Sequence, residues 1–186
     1  TLLLALGLNK EKIIQTFYTT SKYVFDKDKN TWTTDFNPEN FKRPVKISHD
    51  LVDAKNGKKI LSKGEKLNYI IAKKLKEKNL EKIVINTKDI LGKYLSGDVK
   101  DNNGQSIIKA GFDITSEILD KITLNDIRSL NLVDIDPVNK GPYLLETLKS
   151  DKCNDKTESL NEIYKVLRPG EAPTTQIAED LFKNLY

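Results

Sequence analysis

Hydrophobic and polar residues alternate with two different periods along this chain of 186 residues. The run NKEKIIQTFY has apolar residues at helical spacing, so we predict a short amphipathic helix that Asn9 can cap. The next run, SKYVFDKDKNTWTTDF, alternates apolar and polar residues on either side of the polar DKDKN segment, which is the pattern of a β-hairpin. Asn37-Pro38 and Arg43-Pro44 then predict a loop and a boundary near residue 40, since the residue before a proline favours extended conformations.

The middle of the chain repeats itself. The segment DAKNGKKILSKGEKL, residues 53–67, matches DNNGQSIIKAGFDI, residues 101–114, and Asn56-Gly57 aligns with Asn103-Gly104. The match continues at a constant offset of 47 residues through the apolar positions that follow. One supersecondary unit is therefore predicted to be present twice.

Each unit has a simple physical interpretation. The Asn-Gly pairs favour two-residue type I′ turns, so each unit begins with a hairpin. The runs LNYIIAKKLKEKNL and ITSEILDKITLNDI then predict helices, and IVI and LNLVDI predict short strands. We predict two hairpin-helix-strand units, at about 44–90 and 91–136, which pack together because neither buries enough area alone.

The pattern is helical again after Pro137. Asp155 can cap KTESLNEIYKVL, Pro169-Gly170 ends that helix, and Pro173-Thr174 begins the last one. The predicted fold class is α+β, with helical segments at residues 1–40 and 137–186 flanking a β-rich module at 41–136.

Composition narrows the class of protein. The chain is 38% hydrophobic and 31% charged, and its net charge of +4 is a mild excess without evident clustering. Cys153 is the only cysteine, which excludes an internal disulfide and favours a reducing compartment, so we expect the cytoplasm. The apolar start, Thr1 to Leu8, is too short to span a bilayer, and we expect no membrane partner. Since the chain contains no methionine, we expect it to be a piece of a longer protein.

Few residues carry chemistry. The single histidine, His49, precedes Asp50, and the two could form at most half of a catalytic site. Cys153 has no second cysteine or histidine near it in the sequence, so we predict a small loop residue. No nucleotide-binding, zinc-protease or nucleophile-elbow motif is present, and the acidic residues near the Asn-Gly turns lack the ligand order of a calcium loop. We therefore predict no catalytic residue and no metal site.

Basic residues are candidates for contacts with phosphate. The run KKLKEKNLEK, residues 73–82, interleaves lysine with glutamate, which is more typical of a solvated helix face. Arg168 is one of three arginines and stands between a helix and the Pro-Gly break. Its guanidinium can satisfy the last carbonyls of that helix or project toward a phosphate or base.

The C-terminal third carries a family resemblance. The segments GPYLLETL, residues 141–148, and LNEIYKVLRPGEAPTTQIAEDLFKNLY, residues 160–186, closely resemble the lobe (β2) domain of the β subunit of bacterial DNA-directed RNA polymerase. The opening TLLLALGLNKEKIIQTFY resembles the lobe segment that precedes a lineage-specific insertion, and the repeated middle resembles that insertion.

The resemblance implies a role in transcription. In that family the lobe forms one side of the downstream DNA cleft, and the insertion docks regulators. The nucleotidyltransferase site, with its Mg²⁺, lies in the β′ subunit and neighbouring β residues, so we expect no cofactor and no catalytic residue in this fragment. The implied partners are the α, β′ and ω subunits, the sigma factor, DNA and regulators. Arg168, and Lys165 near it, are the candidates for facing nucleic acid in the assembled enzyme.

Two other functions remain open at this point. A free-standing adaptor would use the repeated units to bind proteins and would need its own start codon. A small hydrolase would be built around His49 and Asp50 and would lose activity on His49→Ala.

Overall fold

The computed structural model describes residues 1–101, 104–135 and 141–185, in which helices and an antiparallel sheet combine into an α+β fold. The helices are α1 (Leu2–Ala5), α2 (Lys10–Phe17), α3 (Tyr69–Glu77), α4 (Ser116–Leu124), α5 (Tyr143–Ser150), α6 (Lys156–Leu167) and α7 (Thr175–Leu185). The strands are β1 (Thr20–Asp26), β2 (Thr31–Asp35), β3 (Val45–Lys46), β4 (Leu51–Asp53), β5 (Lys59–Leu61), β6 (Lys66–Leu67), β7 (Lys82–Asn86), β8 (Val99–Lys100), β9 (Ser106–Ile108) and β10 (Ser129–Val133). Short 3-10 helices cover Pro38–Phe41 and Thr87–Asp89.

Six strands form the main sheet, in the order β10-β1-β2-β7-β4-β5, with antiparallel neighbours throughout. The predicted hairpin of β1 and β2 is confirmed and lies in the sheet interior, where Phe25 pairs with Trp32 and Tyr23 with Thr34. Two small ribbons, β3 with β6 and β8 with β9, lie outside this sheet.

Side-chain caps begin the helices where the sequence predicts them. The Asn9 side chain accepts a hydrogen bond from the backbone N–H of Lys12 at 2.7 Å, and the Asp155 side chain accepts one from Glu158 at 2.8 Å. Each cap satisfies one of the N–H groups that a helix leaves unpaired at its start. The predicted helices after Asn9 and Asp155 are therefore confirmed.

The elements of residues 44–90, the first unit, recur in residues 91–136, the second unit. Helix α4 starts and ends 47 residues after α3, β10 does so after β7, and β9 after β5. Both helices end in the same way, because Asn79 and Asp126 have positive φ angles and the next residue donates its N–H back to the helix, from Leu80 to Leu75 and from Ile127 to Ile122.

The offset of 47 residues applies from the Asn-Gly turns onward and does not extend to the strands before them. Before the hairpin turns it is 48 residues: the N–H of Lys63 donates to the Asp50 carboxylate, and the N–H of Ala110 donates to the Asp98 carboxylate, each at 2.8 Å. One residue fewer in the second turn restores the offset of 47.

The first turn also differs from the predicted type I′ geometry. The N–H of Asp53 bonds to the carbonyl of Lys58, so the loop between them has four residues. Only Gly57 in that loop has a positive φ, +68°, whereas a type I′ turn needs two such residues. The Asn56 side chain instead accepts the N–H of Lys58 at 2.8 Å. In the second turn, the predicted Asn103 lies outside the described residues.

The two units lie on opposite sides of the central hairpin. Tyr23 and Thr34 pair with each other, and their outer partners are Leu130 and Ile83, which are equivalent residues 47 positions apart. The strand pairings therefore follow an approximate twofold axis that passes between Tyr23 and Thr34. Helices α3 and α4 complete the arrangement by packing into the same hydrophobic cluster as the sheet.

The hydrophobic core has a sheet part and a helical part. The largest cluster runs from Tyr23 to Leu132, while α1, α2, α5, α6 and α7 enclose two other clusters. The packing changes from one part to the other near residues 18–20 and 133–135, so the hairpin before residue 40 lies with the middle strands. The division into 1–40 with 137–186 and 41–136 remains a prediction, and residues 136–140 lie outside the described residues.

No helix in the described part of the chain is long and apolar enough to cross a membrane.

Candidate functional site

The candidate residues Arg168 and Lys165 lie at the C-terminal end of α6, which packs against α1 and α7. Helix α6 ends at Leu167, and the backbone N–H of Arg168 still donates to the carbonyl of Tyr164 at 2.8 Å. The chain then turns between Arg168 and Glu171, with a 3.4 Å hydrogen bond from the N–H of Glu171 to the carbonyl of Arg168. Gly170 has a φ of +91°, which explains why glycine follows proline at this break.

The Arg168 guanidinium is paired within its own turn. Its Nη1 lies 3.8 Å from Oε2 of Glu171, and the Tyr164 hydroxyl donates to the same oxygen at 2.6 Å. This hydrogen bond raises the pKa of Tyr164 above its ordinary value. The Arg168 side chain is 55% exposed, so a phosphate can reach it in competition with Glu171. The guanidinium therefore pairs with a carboxylate, and the alternative in which it caps the helix carbonyls is not what the structure records.

Lys165 lies in the last turn of α6 and is exposed. The structure brings Lys165 and Arg168 to one helix end, three residues apart. Val166 and Leu167 between them are 73% and 51% exposed. This end of α6 therefore offers two cations and two aliphatic side chains together.

The two polar groups next to the His49 ring both lie at the same ring nitrogen. The Ser48 hydroxyl lies 3.0 Å from His49 Nδ1, and the Asp89 carboxylate lies 3.6 Å from the same nitrogen. A nucleophile–histidine–acid relay needs its two partners on opposite ring nitrogens. Asp50 is engaged elsewhere, since it accepts the Lys63 N–H and lies 2.9 Å from Lys59 Nζ. Because Asp98 holds the second unit in the same way, Asp50 has a structural role.

Cys153 is a buried loop residue, 4% exposed, that packs with Leu145 and Leu148. Its backbone N–H donates to the Asp151 carboxylate at 3.0 Å. Within residues 1–101, 104–135 and 141–185, no group of three or more histidine, cysteine or acidic residues could hold a metal ion.

One partly buried ionic group was not predicted. Lys93 Nζ lies 5.8 Å from the centre of the Tyr23 ring, and the Ser21 hydroxyl donates to Asp134 at 2.7 Å. Burial raises the pKa of Tyr23 to about 12, lowers the pKa of Lys93 and raises the pKa of Asp134. The group ties β1 to the two ends of the second unit. No sequence signal identifies it, because its members come from three distant segments.

The positive charge is clustered, contrary to the expectation from the overall balance. The first unit contains 12 basic and six acidic residues, whereas the second contains five basic and eight acidic residues. Two units with equivalent backbones therefore carry opposite net charge.

Comparison with known proteins identifies the family. No family model matches the chain. Over its full length the chain is 35% identical to the DNA-directed RNA polymerase subunit beta of Rhizobium leguminosarum bv. trifolii (strain WSM2304). It is 37% identical to the corresponding subunit of Rickettsia felis and 36% identical to that of Rickettsia massiliae, each over 187 positions.

The chain belongs with the bacterial RNA polymerase β subunits. It spans 13% of the length of each of these β subunits, so it corresponds to a segment of them. The match covers the helical part, the sheet and the turn at Arg168 alike, since 100% of the chain is aligned.

Proposed function

We propose that this chain is the lobe segment of a bacterial RNA polymerase β subunit, together with an insertion that docks regulators, and that it serves DNA-directed RNA synthesis. The observation that carries the proposal is the identity of 35–37% along the whole chain to β subunits. The division of the core into a helical part and a sheet part supports a lobe that carries an inserted module.

The module in this proposal consists of the two hairpin-helix-strand units and the hairpin between them. The shared helix ends and strand register of the two units support an origin by duplication. We extend the inserted module to begin near residue 20, because β1 and β2 connect the two units within one sheet.

The segment itself performs no chemistry in this proposal. The nucleotidyltransferase reaction belongs to the whole polymerase, whose Mg²⁺ would be held elsewhere. The segment would act in the cytoplasm with the α, β′ and ω subunits and the sigma factor. Its contribution would be to frame the downstream DNA and to present the inserted module.

The end of α6 is the proposed DNA-facing surface. Arg168 and Lys165 are exposed cations at one helix end. The affinity of such residues for DNA phosphates falls as the salt concentration rises. Arg168→Gln in assembled polymerase is expected to reduce the slope of log K against log salt for DNA binding by about 0.9 if one phosphate contact is lost. Arg128→Gln, in the second unit, is the matched control. An unchanged slope for Arg168→Gln would remove this residue from the DNA interface.

The assignment to the polymerase is tested in cells. An antibody against this chain is expected to detect a band far larger than 21.2 kDa that copurifies with transcribing polymerase. A free band near 21.2 kDa, separate from the polymerase, would instead establish the free-standing adaptor.

A further inference from the structure

The second unit docks the helical part of the protein through one small surface. Tyr94 and Asp113 form a cross-strand bridge there. Tyr94 packs against the cluster that contains α2 and α5, and the Asp113 carboxylate lies 2.9 Å from Lys149 Nζ of α5. An aromatic residue and a carboxylate therefore hold a helix that carries a lysine.

Two neighbouring residues complete this surface. Ala110 is buried in the same cluster. At Gly111, a Cβ atom would lie 3.4 Å from Ile14 Cδ1 of α2, so the small residue lets the helix approach closely. The docking surface of the second unit thus comprises Tyr94, Ala110, Gly111 and Asp113.

The equivalent surface of the first unit follows from the shared hydrogen bonds. Lys63 is equivalent to Ala110, because each donates its N–H to the equivalent aspartate. Gly64 is equivalent to Gly111, and both have a φ near +90°.

The cross-strand pair has an equivalent too. Lys46 pairs with Lys66 in the ribbon of β3 and β6, where the second unit pairs Tyr94 with Asp113. Lys46, Lys63 and Lys66 are all exposed, and we call them the lysine patch. The position that receives a helix in the second unit is therefore exposed and basic in the first.

Folding alone does not explain the lysine patch. Lys46 and Lys66 stand directly opposite each other, an arrangement of like charges that destabilises a ribbon. Among the described residues, no carboxylate lies within 4.0 Å of the ammonium group of either lysine or of Lys63. The Glu65 carboxylate next to Lys66 accepts the N–H of Ser62 at 2.8 Å instead. An anionic partner would remove the repulsion that the fold leaves in place.

We infer that the lysine patch docks an acidic helical segment of a protein partner, in the same place where the second unit docks α5. The charges are reversed: the second unit offers a carboxylate to Lys149, and the first unit offers three ammonium groups to carboxylates. The side chain of Val45, the neighbour of Lys46 in β3, is 46% exposed, and an apolar side chain there suits a protein helix better than a phosphate backbone. This inference rests on the proposed regulator-docking role of the module and names the chemistry of its partner.

The test is equilibrium binding to the 186-residue chain. The probe is a fluorescein-labelled, alanine-based helical peptide of about 20 residues with glutamates along one face. The triple variant Lys46→Ser, Lys63→Ser and Lys66→Ser is expected to weaken the anisotropy-measured affinity at least about tenfold. The matched control replaces three exposed lysines of and after α3, Lys73→Ser, Lys74→Ser and Lys78→Ser, and is expected to stay within about twofold.

Three outcomes would overturn the inference. One is equal loss in the two triple variants, which would mean that only net charge matters. Another is the absence of binding by the unaltered chain at 50 mM salt. The third is tighter, patch-dependent binding of a 20-base-pair DNA duplex, which would assign the patch to nucleic acid. If the triple variant loses its cooperative thermal transition, Lys46→Gln with Lys66→Gln replaces it and is expected to weaken the affinity about fivefold, and an unchanged affinity would overturn the inference.

The outcome is separable from the assignment to the polymerase. The binding assay needs the chain alone, so a negative result leaves copurification with the polymerase unaffected. Peptide binding by a chain that runs free at 21.2 kDa would keep the docking surface and reject the polymerase context.

Discussion

The substitution Lys66→Glu is expected to stabilise the protein, although Lys66 is a surface residue that forms no ion pair within the described part of the chain. Lys66 stands opposite Lys46, so the change turns a like-charged cross-strand pair into an oppositely charged one. Two unit charges about 5 Å apart in water interact by about 0.8 kcal/mol, so turning the repulsion into an attraction changes the energy by about 1.6 kcal/mol. Salt screening and side-chain freedom reduce this to about 0.5–1 kcal/mol. For a chain of this size we expect a rise in Tm of about 2 °C.

The assay is thermal unfolding followed by circular dichroism at low salt and at high salt. The rise should shrink at high salt, because the charges are exposed. Lys55→Glu makes the same change in net charge in the loop after β4 and is the control. Lys66→Ser, which removes only the repulsion, should give about half the effect. A lower Tm for Lys66→Glu, or an equal rise for Lys55→Glu, would refute the reasoning.

Three further predictions concern the core, the acid limit of stability and the folding unit. Leu132, in β10, is fully buried, so Leu132→Ala is expected to cost about 2–5 kcal/mol in guanidinium unfolding, whereas Leu124→Ala, at a position 84% exposed, should cost less than about 0.5 kcal/mol. Lys149 holds the pKa of Asp113 below its ordinary value of 3.8, so the stability from this pair is present above that value and is lost as pH falls through the lower folded pKa. Urea unfolding should therefore find Asp113→Asn destabilised at pH 7 but not at pH 2, and a deficit that persists at pH 2 would contradict this assignment. Residues 19–135 should melt cooperatively on their own, while residues 41–136 should not, because β7 and β10 would lose β2 and β1; a cooperative melt of 41–136 would show that the hairpin is dispensable.

Local structure was predictable from the sequence where one short segment contains all the information. The alternation around DKDKN predicts a hairpin because both strands and their turn lie within 16 residues. Asn9 and Asp155 predict helix starts because a cap bonds to an N–H only three residues away. The repeat was visible for a similar reason, since an internal match compares the chain only with itself.

Long-range structure was not predictable in the same way. An alternation of apolar and polar residues identifies a strand but not its neighbours in the sheet. Nothing in the sequence therefore placed β1 and β2 between β7 and β10. The turn after Asp53 was predicted with two residues because Asn-Gly favours that geometry, yet the side chains of Asp53 and Asn56 stabilise a longer loop. Tyr23, Lys93 and Asp134 meet only through the sheet, so their perturbed pKa values have no signature in the sequence.

The position of the candidate site at a helix end was predictable from the sequence, but the ion pair of its arginine was not. The Pro-Gly break placed Arg168 at a helix end, because proline and a glycine with positive φ both stop helices. The pairing of its guanidinium with Glu171 depends on how the turn folds back, which neighbouring residue types alone do not determine. That Arg168 and Lys165 face DNA stays a prediction.

The two units illustrate how one backbone can serve two surfaces. Their helix ends and ribbons share the same hydrogen bonds, so the backbone does not decide which unit packs against the helical part. The side chains decide it: burying Ala110 stabilises the contact with α2 and α5, whereas burying Lys63 in its place would cost the desolvation of a charge. Lys63 therefore disfavours docking of the helical part on the first unit, whose equivalent surface is exposed. The lysine patch has the same backbone geometry as the surface that binds α5, but it carries positive charge. It is therefore suited to a partner helix that carries negative charge.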